Sequence, residues 1–539
     1  MTRRIGLGLA VVLVFSLLTA VMTLPQVRHL RTLVPNSDDP LLSIWRISWI
    51  AHILPQSPAD LLNGNIFYPE KRTLAYTDSV LLEGFAAAPL IWAGVPAVAA
   101  YNLLVLGCIT LSGAAMFLYA SRLTGSAHAA WLAGIVFAFV PFRFDHFPHL
   151  ELQATMFLPL ALWWCERMLA TGDRRDLYGF AAAIVAQVYS GIYYAVFLVT
   201  ALAFVLPFRI MSVSSERRRA LVKPAVIATL VAVVIVAPYL SAYVLNRDLL
   251  GDRSLTDVRR YSATWSNYLA ALEGNLVHGR WSAAFGRSER RLFPGALAIG
   301  LALIGLARFD RQRLTLVITG LTGLVISLGI NTPIYDVLRE VVFVYRGLRA
   351  PARASILVFL AISGLTAYGW ARLQPLLKRW ATVATVAVAG AMLLEYATVM
   401  TPWLTLPQRP PSVYTWLATQ PRSVVVEFPI PRADRLDFTY EGFYMVGSTV
   451  HWQPLLNGYS GFFPRSFLDL TEYAKSFPDE RSIGYLKHRG VDLIVVHGGL
   501  MSADEFGAIT SALLARSDVE AAARFEELRG PDLVFRLRR

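Results

Sequence analysis

Two neighbouring carboxylates, Asp38 and Asp39, open a polar, aromatic-rich stretch over residues 36–78, NSDDPLLSIWRISWIAHILPQSPADLLNGNIFYPEKRTLAYTD. A carboxylate at a watered membrane face can serve as general base on an acceptor hydroxyl or amine. The same residues also read as a helix start, with Asp39 as N-cap and Pro40 in the first turn. A second group, RFDHFPHLE at 143–151, holds Arg143, Asp145, His146, His149 and Glu151 between two apolar runs. Ionisable side chains so near hydrocarbon face a cavity or one another, or else snorkel from an interfacial loop. His149 and Glu151 are of types that ligate a divalent cation, but two neighbouring ligands do not make a site. A third group is RGLRAPAR, with Arg346, Arg349 and Arg353. External arginines beside a span suit a bound phosphate, or pair with the nearby Asp336 or Glu340. Tyr189, Ser190, Tyr193 and Tyr194 interrupt an apolar hairpin on the same side, as an aromatic belt or a site wall. Tyr76 and Asp78 close the first stretch and join Arg143, Asp145, His146, Tyr193, Tyr194 and the three arginines as candidates for binding substrate. Together these pieces describe one reaction, in which a base activates an acceptor, arginines hold a leaving phosphate and an apolar groove holds its lipid tail. No phosphate-cradling glycine loop, nucleophile elbow or zinc signature with proper spacing occurs in the sequence.

The elements that must position these groups follow from composition. The 539 residues are 55% hydrophobic and 16% charged, against about 25% charged in soluble domains, and the mean hydropathy is +0.49. Repeated apolar runs identify an α-helical polytopic membrane protein. A net charge of +13 would point to nucleic acid in a soluble chain. Here the basic residues cluster in short loops between apolar runs, which is the positive-inside pattern and also suits anionic lipid. Cys108 and Cys165 lie inside apolar runs and read as small buried hydrophobes.

The runs at 5–24, 99–120, 129–142, 153–168, 177–190, 192–207, 224–245, 293–307, 314–330, 355–370 and 381–400 make about 11 transmembrane helices. The first follows the basic start MTRR and reads as an uncleaved span with a cytoplasmic N-terminus, since no small-x-small cleavage site follows it. Leu42, Trp45, Trp49 and Ile53 fall on one face of a helix over 41–54, which is expected to lie in the membrane interface. The stretch 82–95, broken by Pro89 and Gly94, is too short to span and is expected to be interfacial or re-entrant. Counting it as a span would turn the arginine clusters outward, against the positive-inside rule. The expected divisions are a membrane domain over 1–400 with its first external loop at 25–98, a proline-marked linker over 401–422, and an external α/β domain over 423–539. That last part has strand-like runs at 423–428, 492–497 and 532–537, a helical pattern at 503–515 and an aromatic run, HWQPLLNGYSGFF, at 451–463.

The order of these features resembles the GT-C superfamily of integral-membrane glycosyltransferases that use polyprenyl-phosphate sugars. The likeness rests on NSDDP after the first span, on PFRFDHFPHLE in the second external loop, and on NIFYPEKRTLAYTD, AYNLL, SRLTGS, FLPLAL and YRGLRAPARAS, which are similar to stretches of bacterial members. The resemblance implies Asp39 as catalytic base with Asp38 as its rival. His149 and Glu151, with Asp145, would orient the acceptor or bind a divalent cation such as Mg or Mn. The second loop lacks an Asp-x-Asp pair, so the sequence names no metal set. Arg349 and Arg353, then Arg346, would hold the donor phosphate. Also implied are inversion at the anomeric carbon, a periplasmic active site, a multi-pass protein of the bacterial inner (plasma) membrane, and a glycan, lipid or protein as acceptor. Two other functions compete. A lipid or solute transporter or flippase would place polar groups at mid-span and show inverted repeats. A non-catalytic scaffold would use the external domain as a binding module. Polar groups gathered at one membrane surface favour the enzyme.

Overall fold

A computed structural model of the chain describes residues 2–400, 402–431 and 439–538. Met1 and the side chains of 2–5, where the basic start falls, and Thr401 of the linker lie outside the described residues. Helices make up 68% of the structure. Each apolar run carries one, from Thr2–Met22 through Phe157–Thr171 and Arg174–Ser190 to Ala381–Tyr396. Among the described residues, five segments are long and apolar enough to cross a membrane unaided: Ala97–Thr124, Ala127–Asp145, Ile192–Met211, Ser215–Leu250 and Pro351–Tyr396. The protein is thus a multi-pass membrane protein. Other apolar helices are shorter. Phe157–Thr171 has 15 residues, roughly 22 Å at the helical rise. The helix ends in the basic loops are sealed locally. Ser126, Asp173 and Asp310 each accept a backbone N–H of the helix they start. Gly172, at φ +71°, closes Phe157–Thr171 in the left-handed conformation that glycine adopts without strain.

The chain divides into two compact units. The first comprises Met1–His29, Asn102–Leu240 and Gly251–Pro402; the second comprises Leu30–Tyr101, Ser241–Leu250 and Trp403–Arg539. Most of the first external loop, drawn from the sequence at 25–98 as part of the membrane domain, therefore groups by packing with the C-terminal part of the chain.

In the first unit, helix Ser355–Leu377 is central and packs on Ala127–Phe139, Ala296–Gly305 and Arg311–Ser327. Small residues allow this. A Cβ on Gly369 would strike the Leu301 carbonyl, and one on Gly305 would strike the Leu365 carbonyl. Close backbone approach of this kind is how helices gain packing where lipid supplies no hydrophobic drive.

In the second unit, helix Asp39–Ile53 is buried along almost its whole length and packs on Leu81–Trp92 and Thr439–His451. This corrects the interfacial placement expected for 41–54. Trp45 and Leu42 are buried, and Trp45 donates Nε1–H to Asn65 Oδ1 at 3.0 Å. The helix is apolar around most of its circumference, and Arg46, which would favour an interface, donates internally through its terminal nitrogens to the Asp78 carbonyl and to Ser43 Oγ at 2.8 Å. Leu81–Trp92 is a 12-residue helix containing Pro89, with Phe85 and Trp92 exposed.

Strand β1 (Leu33–Pro35) pairs antiparallel with β2 (Trp403–Thr405). Strands β3 (Val425–Phe428), β4 (Leu493–His497), β5 (Val519–Glu527) and β6 (Gly530–Leu537) form one sheet in the order β3-β4-β6-β5. Of its pairings only β3–β4 is parallel, and both strands are buried throughout, mostly apolar but with Glu427 in β3 and His497 at the end of β4. β5 was not foreseen. Its sequence, VEAAARFEE, has helix-forming composition, but the turn before Gly530 returns the chain along it as β6, and pairing overrides propensity. The aromatic run is stitched to the first loop by backbone bonds: Phe67 N–H to Asn457 O, Tyr68 N–H to Leu455 O and Leu455 N–H to Asn65 O, all between 2.8 and 3.1 Å.

Polar groups are buried within this sheet. Glu427 Oε2 accepts from Tyr414 Oη at 3.0 Å and His497 Nε2 at 2.8 Å, and His497 Nδ1 meets Asp532 Oδ1 at 2.9 Å. Glu441 accepts from Asn457 Nδ2 at 3.1 Å and Gly458 N–H at 2.7 Å. Burial opposes a charged His497, but its two carboxylates outweigh that and push its pKa up to about 9. Burial pushes Glu441 up to about 8, against the bonds from Asn457 and Gly458, and pulls His451 down to about 4.

Two predictions follow from this packing. Gly369→Leu forces two backbones apart and should cost at least ~1–3 kcal/mol, read as a lower unfolding temperature of the detergent-solubilised protein. Linkage gives the second. The contribution of His497 is complete below its ordinary value of 6.5 and is lost as pH rises through about 9. That of Glu441 is complete below 4.5 and is lost through about 8. Both have the same sign, so the unfolding temperature should fall from pH 6.5 to 9, with His497→Gln flattening the upper end of that fall. His451 acts oppositely, its contribution being lost as pH falls from 6.5 through about 4.

Candidate functional site

In the first unit the 143–151 group meets a residue that sequence reasoning missed, Glu289. Its carboxylate accepts from Arg353 through Nε at 2.8 Å and through Nη2, and from His146 Nε2 at 2.9 Å. His149 Nε2 stands 4.0 Å away. Burial alone would raise the pKa of Glu289, but Arg353 and His146 hold it well below the usual carboxylate range, so it remains ionised. Asp145 latches the same loop, accepting the Glu289 N–H at 3.0 Å and Arg291 Nη1 at 2.8 Å. Arg353 therefore pairs with Glu289, not with the Asp336 or Glu340 suggested by sequence proximity.

The tyrosines extend this cluster. The Arg353 guanidinium lies 5.1 Å from the Tyr193 ring centre, and Tyr193 Oη accepts the Arg349 N–H at 2.7 Å. The Arg349 guanidinium lies over Tyr261 at 4.9 Å and is half-buried. Tyr194 is fully buried, and among the described residues its hydroxyl has no hydrogen-bond partner. Gly191 packs against the backbone and Cβ of Glu151, which is also buried. Arg346 is turned away from the group, donating Nε–H to the Arg339 carbonyl at 2.9 Å.

Arg143 does something other than face an open site. It is buried, donating to the Phe137 carbonyl at 2.9 Å, to the Gln153 carbonyl at 3.1 Å and to Thr155 Oγ1. Gln153 answers by donating to the carbonyls of Arg143 at 3.1 Å and His146 at 2.8 Å. This clamp ties the chain before the histidines to the chain after them and so sets where the imidazoles point.

The second unit holds the other candidates. Asp38, which is exposed, is the N-cap of helix Asp39–Ile53, but its side chain makes no capping bond. Asp39 occupies the first turn, where the helix dipole favours a carboxylate. It is half-buried, and Tyr459 Oη of the aromatic run lies 3.5 Å from its Oδ1. Tyr76 is buried against Phe67, and Asp78 is buried with its carbonyl on Arg46.

Among the described residues no group of three or more His, Cys, Asp or Glu side chains is disposed to hold a metal ion. In the cluster of Glu289 with two histidines the carboxylate is engaged by Arg353, which a divalent cation would have to displace.

A family model described as "Domain of unknown function (DUF6311)" matches residues 17–348. The chain belongs to this family. No curated protein matches it. Among solved structures, the arabinofuranosyltransferase AftD from mycobacteria aligns over 100% of this chain and 40% of its own, with TM-score 0.66 and 14% identity. The chain thus spans about two fifths of the length of that enzyme. ArnT from Cupriavidus metallidurans, in its apo state, aligns over 99% of this chain and 98% of its own, with TM-score 0.51 and 14% identity. The fold of this DUF6311 protein is therefore that of the GT-C glycosyltransferases.

The clamp and the histidines it sets can be separated by mutation. Arg143→Leu takes the guanidinium donor from the buried Phe137 carbonyl, a loss of about 1–3 kcal/mol, while the Gln153 carbonyl keeps the Thr155 N–H. It should reduce the yield of folded protein on size-exclusion chromatography, whereas Asp38→Asn, at an exposed N-cap whose side chain makes no capping bond, should leave that yield unchanged.

Proposed function

We propose that this protein is a membrane glycosyltransferase that moves a hexosyl or pentosyl group from a polyprenyl-phosphate donor to an acceptor on the external face. The observation that carries the reading is the half-exposed carboxylate of Asp39, in the first turn of an otherwise buried helix of a chain with the GT-C fold. In the proposed reaction Asp39 takes the proton of an acceptor hydroxyl as that oxygen attacks the anomeric carbon. The bond from the anomeric carbon to the phosphate oxygen breaks, its electron pair leaves with the polyprenyl phosphate, and the configuration inverts. Arg349 and Arg353 offset the charge of the leaving phosphate, and His149 and Glu151 orient the acceptor.

The topology belonging to this reading has about 11 spans, a cytoplasmic N-terminus, and the active site and C-terminal domain in the periplasm of a bacterial inner membrane. The acceptor is a glycan, a lipid or a protein. A role for Mg or Mn at the second loop is a separate proposal, and no step above requires it.

Replacing Asp39 by Asn should lower sugar transfer from a radiolabelled polyprenyl-phosphate sugar by about 10²–10⁴-fold, with normal membrane insertion and elution. Asp38→Asn should keep most of the activity. Transfer undiminished in the Asp39 variant would reject the base assignment.

A further inference from the structure

The donor phosphate and Glu289 cannot both have full use of Arg353. We infer that Glu289 is the internal competitor of the substrate phosphate: a phosphate entering the site draws the Arg353 guanidinium away from Glu289 and releases the loop at 286–292. This rests on the proposed function, which places a polyprenyl phosphate at Arg349 and Arg353.

Three observations support it. The first is the geometry at Glu289. Two guanidinium nitrogens of Arg353 and one imidazole nitrogen of His146 converge on its carboxylate, and a second imidazole, of His149, stands at 4.0 Å. Converging guanidinium and imidazole donors are the surroundings a phosphate monoester seeks, here applied to a carboxylate of the protein itself.

The second is the closeness of like charges. Arg349 and Arg353 both lie within electrostatic reach of Arg253, and Tyr193 links the two candidate phosphate ligands by stacking on one and accepting from the backbone of the other. Glu151 is the other acid that acts on Arg353, while Asp145 is engaged by Arg291 and Asp257 acts on Arg253. A cluster of guanidiniums repelling one another gains from a further anion.

The third is the backbone. Glu289 is a non-glycine residue at φ +68°, a strained conformation that persists only where surrounding contacts enforce it. The enforcing contacts visible here are its own carboxylate on Arg353 and its N–H on Asp145. Loosening the first relieves strain in the loop and so lowers the cost of the exchange.

The test uses the full chain in detergent micelles, with undecaprenyl phosphate as probe and with undecaprenol and inorganic phosphate as separate arms. Undecaprenol lacks the anion and inorganic phosphate lacks the lipid, so the two arms say which part is recognised. Glu289→Gln removes the competing charge and should bind undecaprenyl phosphate several-fold more tightly than the unaltered protein. Glu289→Asp, which keeps the charge on a shorter arm, should fall between them, and Arg353→Ala should bind more weakly. A residue that merely supported the fold would weaken binding when replaced. In the unaltered protein, undecaprenyl phosphate should speed amide hydrogen exchange over 286–292, the reverse of the usual protection by a ligand. That measurement decides alone if Glu289→Gln yields no folded protein. Slower or unchanged exchange there, or equal or weaker binding by folded Glu289→Gln, overturns the inference and leaves the proposed function standing. Failure of the unaltered protein to bind undecaprenyl phosphate removes the donor assignment and the inference with it.

Discussion

A guanidinium taken out of water must keep an anion beside it. Breaking such a pair costs several kcal/mol, because the charge left behind is uncompensated. Arg353 lies immediately before helix Ser355–Leu377, the central helix of the first unit, so the need to seat it against Glu289 decides where the loop at 286–292 goes. Asp145 then ties that loop to the turn carrying His146 and His149. Three segments far apart in sequence meet because two acids require it. The same solution recurs elsewhere in the unit, where Arg209 binds Glu166 through both terminal nitrogens at 2.6 and 2.8 Å and also donates to Thr315. That pair joins helices Phe157–Thr171, Ile192–Met211 and Arg311–Ser327. Among apolar helices, buried ion pairs supply the directional terms that dispersion between side chains cannot.

The second unit is organised by burial of Asp39–Ile53. The helix is held by Leu81–Trp92 on one side and Thr439–His451 on another, so the C-terminal part of the chain is structural support for the residues after Asp39. Gly84 and Gly442 mark the close contacts, against Ile50 and Leu41 respectively. The aromatic run carries Tyr459 to Asp39, while Glu441 holds the backbone next to it through Gly458. The C-terminal α/β part thereby gains a role that its strands alone do not suggest, which is to fix the surroundings of the first-loop acid.

A fold shared at 14% identity with AftD and ArnT leaves most individual side chains different. Chemistry must then be argued from the groups this chain itself brings together.

Local information was enough for much of the protein. A run of apolar residues in lipid has to be helical, because each peptide group must find its partner within the segment; hence a helix in every run. The largely apolar, β-branched strands β3 and β4 were legible from composition, and so was the clustering of ionisable residues at 143–151, which are neighbours along the chain. What remained hidden was what depends on distant partners. Nothing in the residues around Glu289 announces it, since its meaning comes from Arg353 and His146, which lie 64 and 143 positions away. Arg143 looked like a substrate ligand until Gln153, Thr155 and the Phe137 carbonyl surrounded it. Helix 39–53 looked interfacial because the surfaces covering it lie in other parts of the chain, and β5 went unforeseen because its pairing with β6 is invisible to propensity. By itself the sequence determined the membrane class, the helical runs and the stock of charged groups, all set by hydrophobicity and by neighbours along the chain. Only the tertiary structure decided which charge answers which, because a buried ion pair is chosen by desolvation and geometry between segments that sequence distance does not relate.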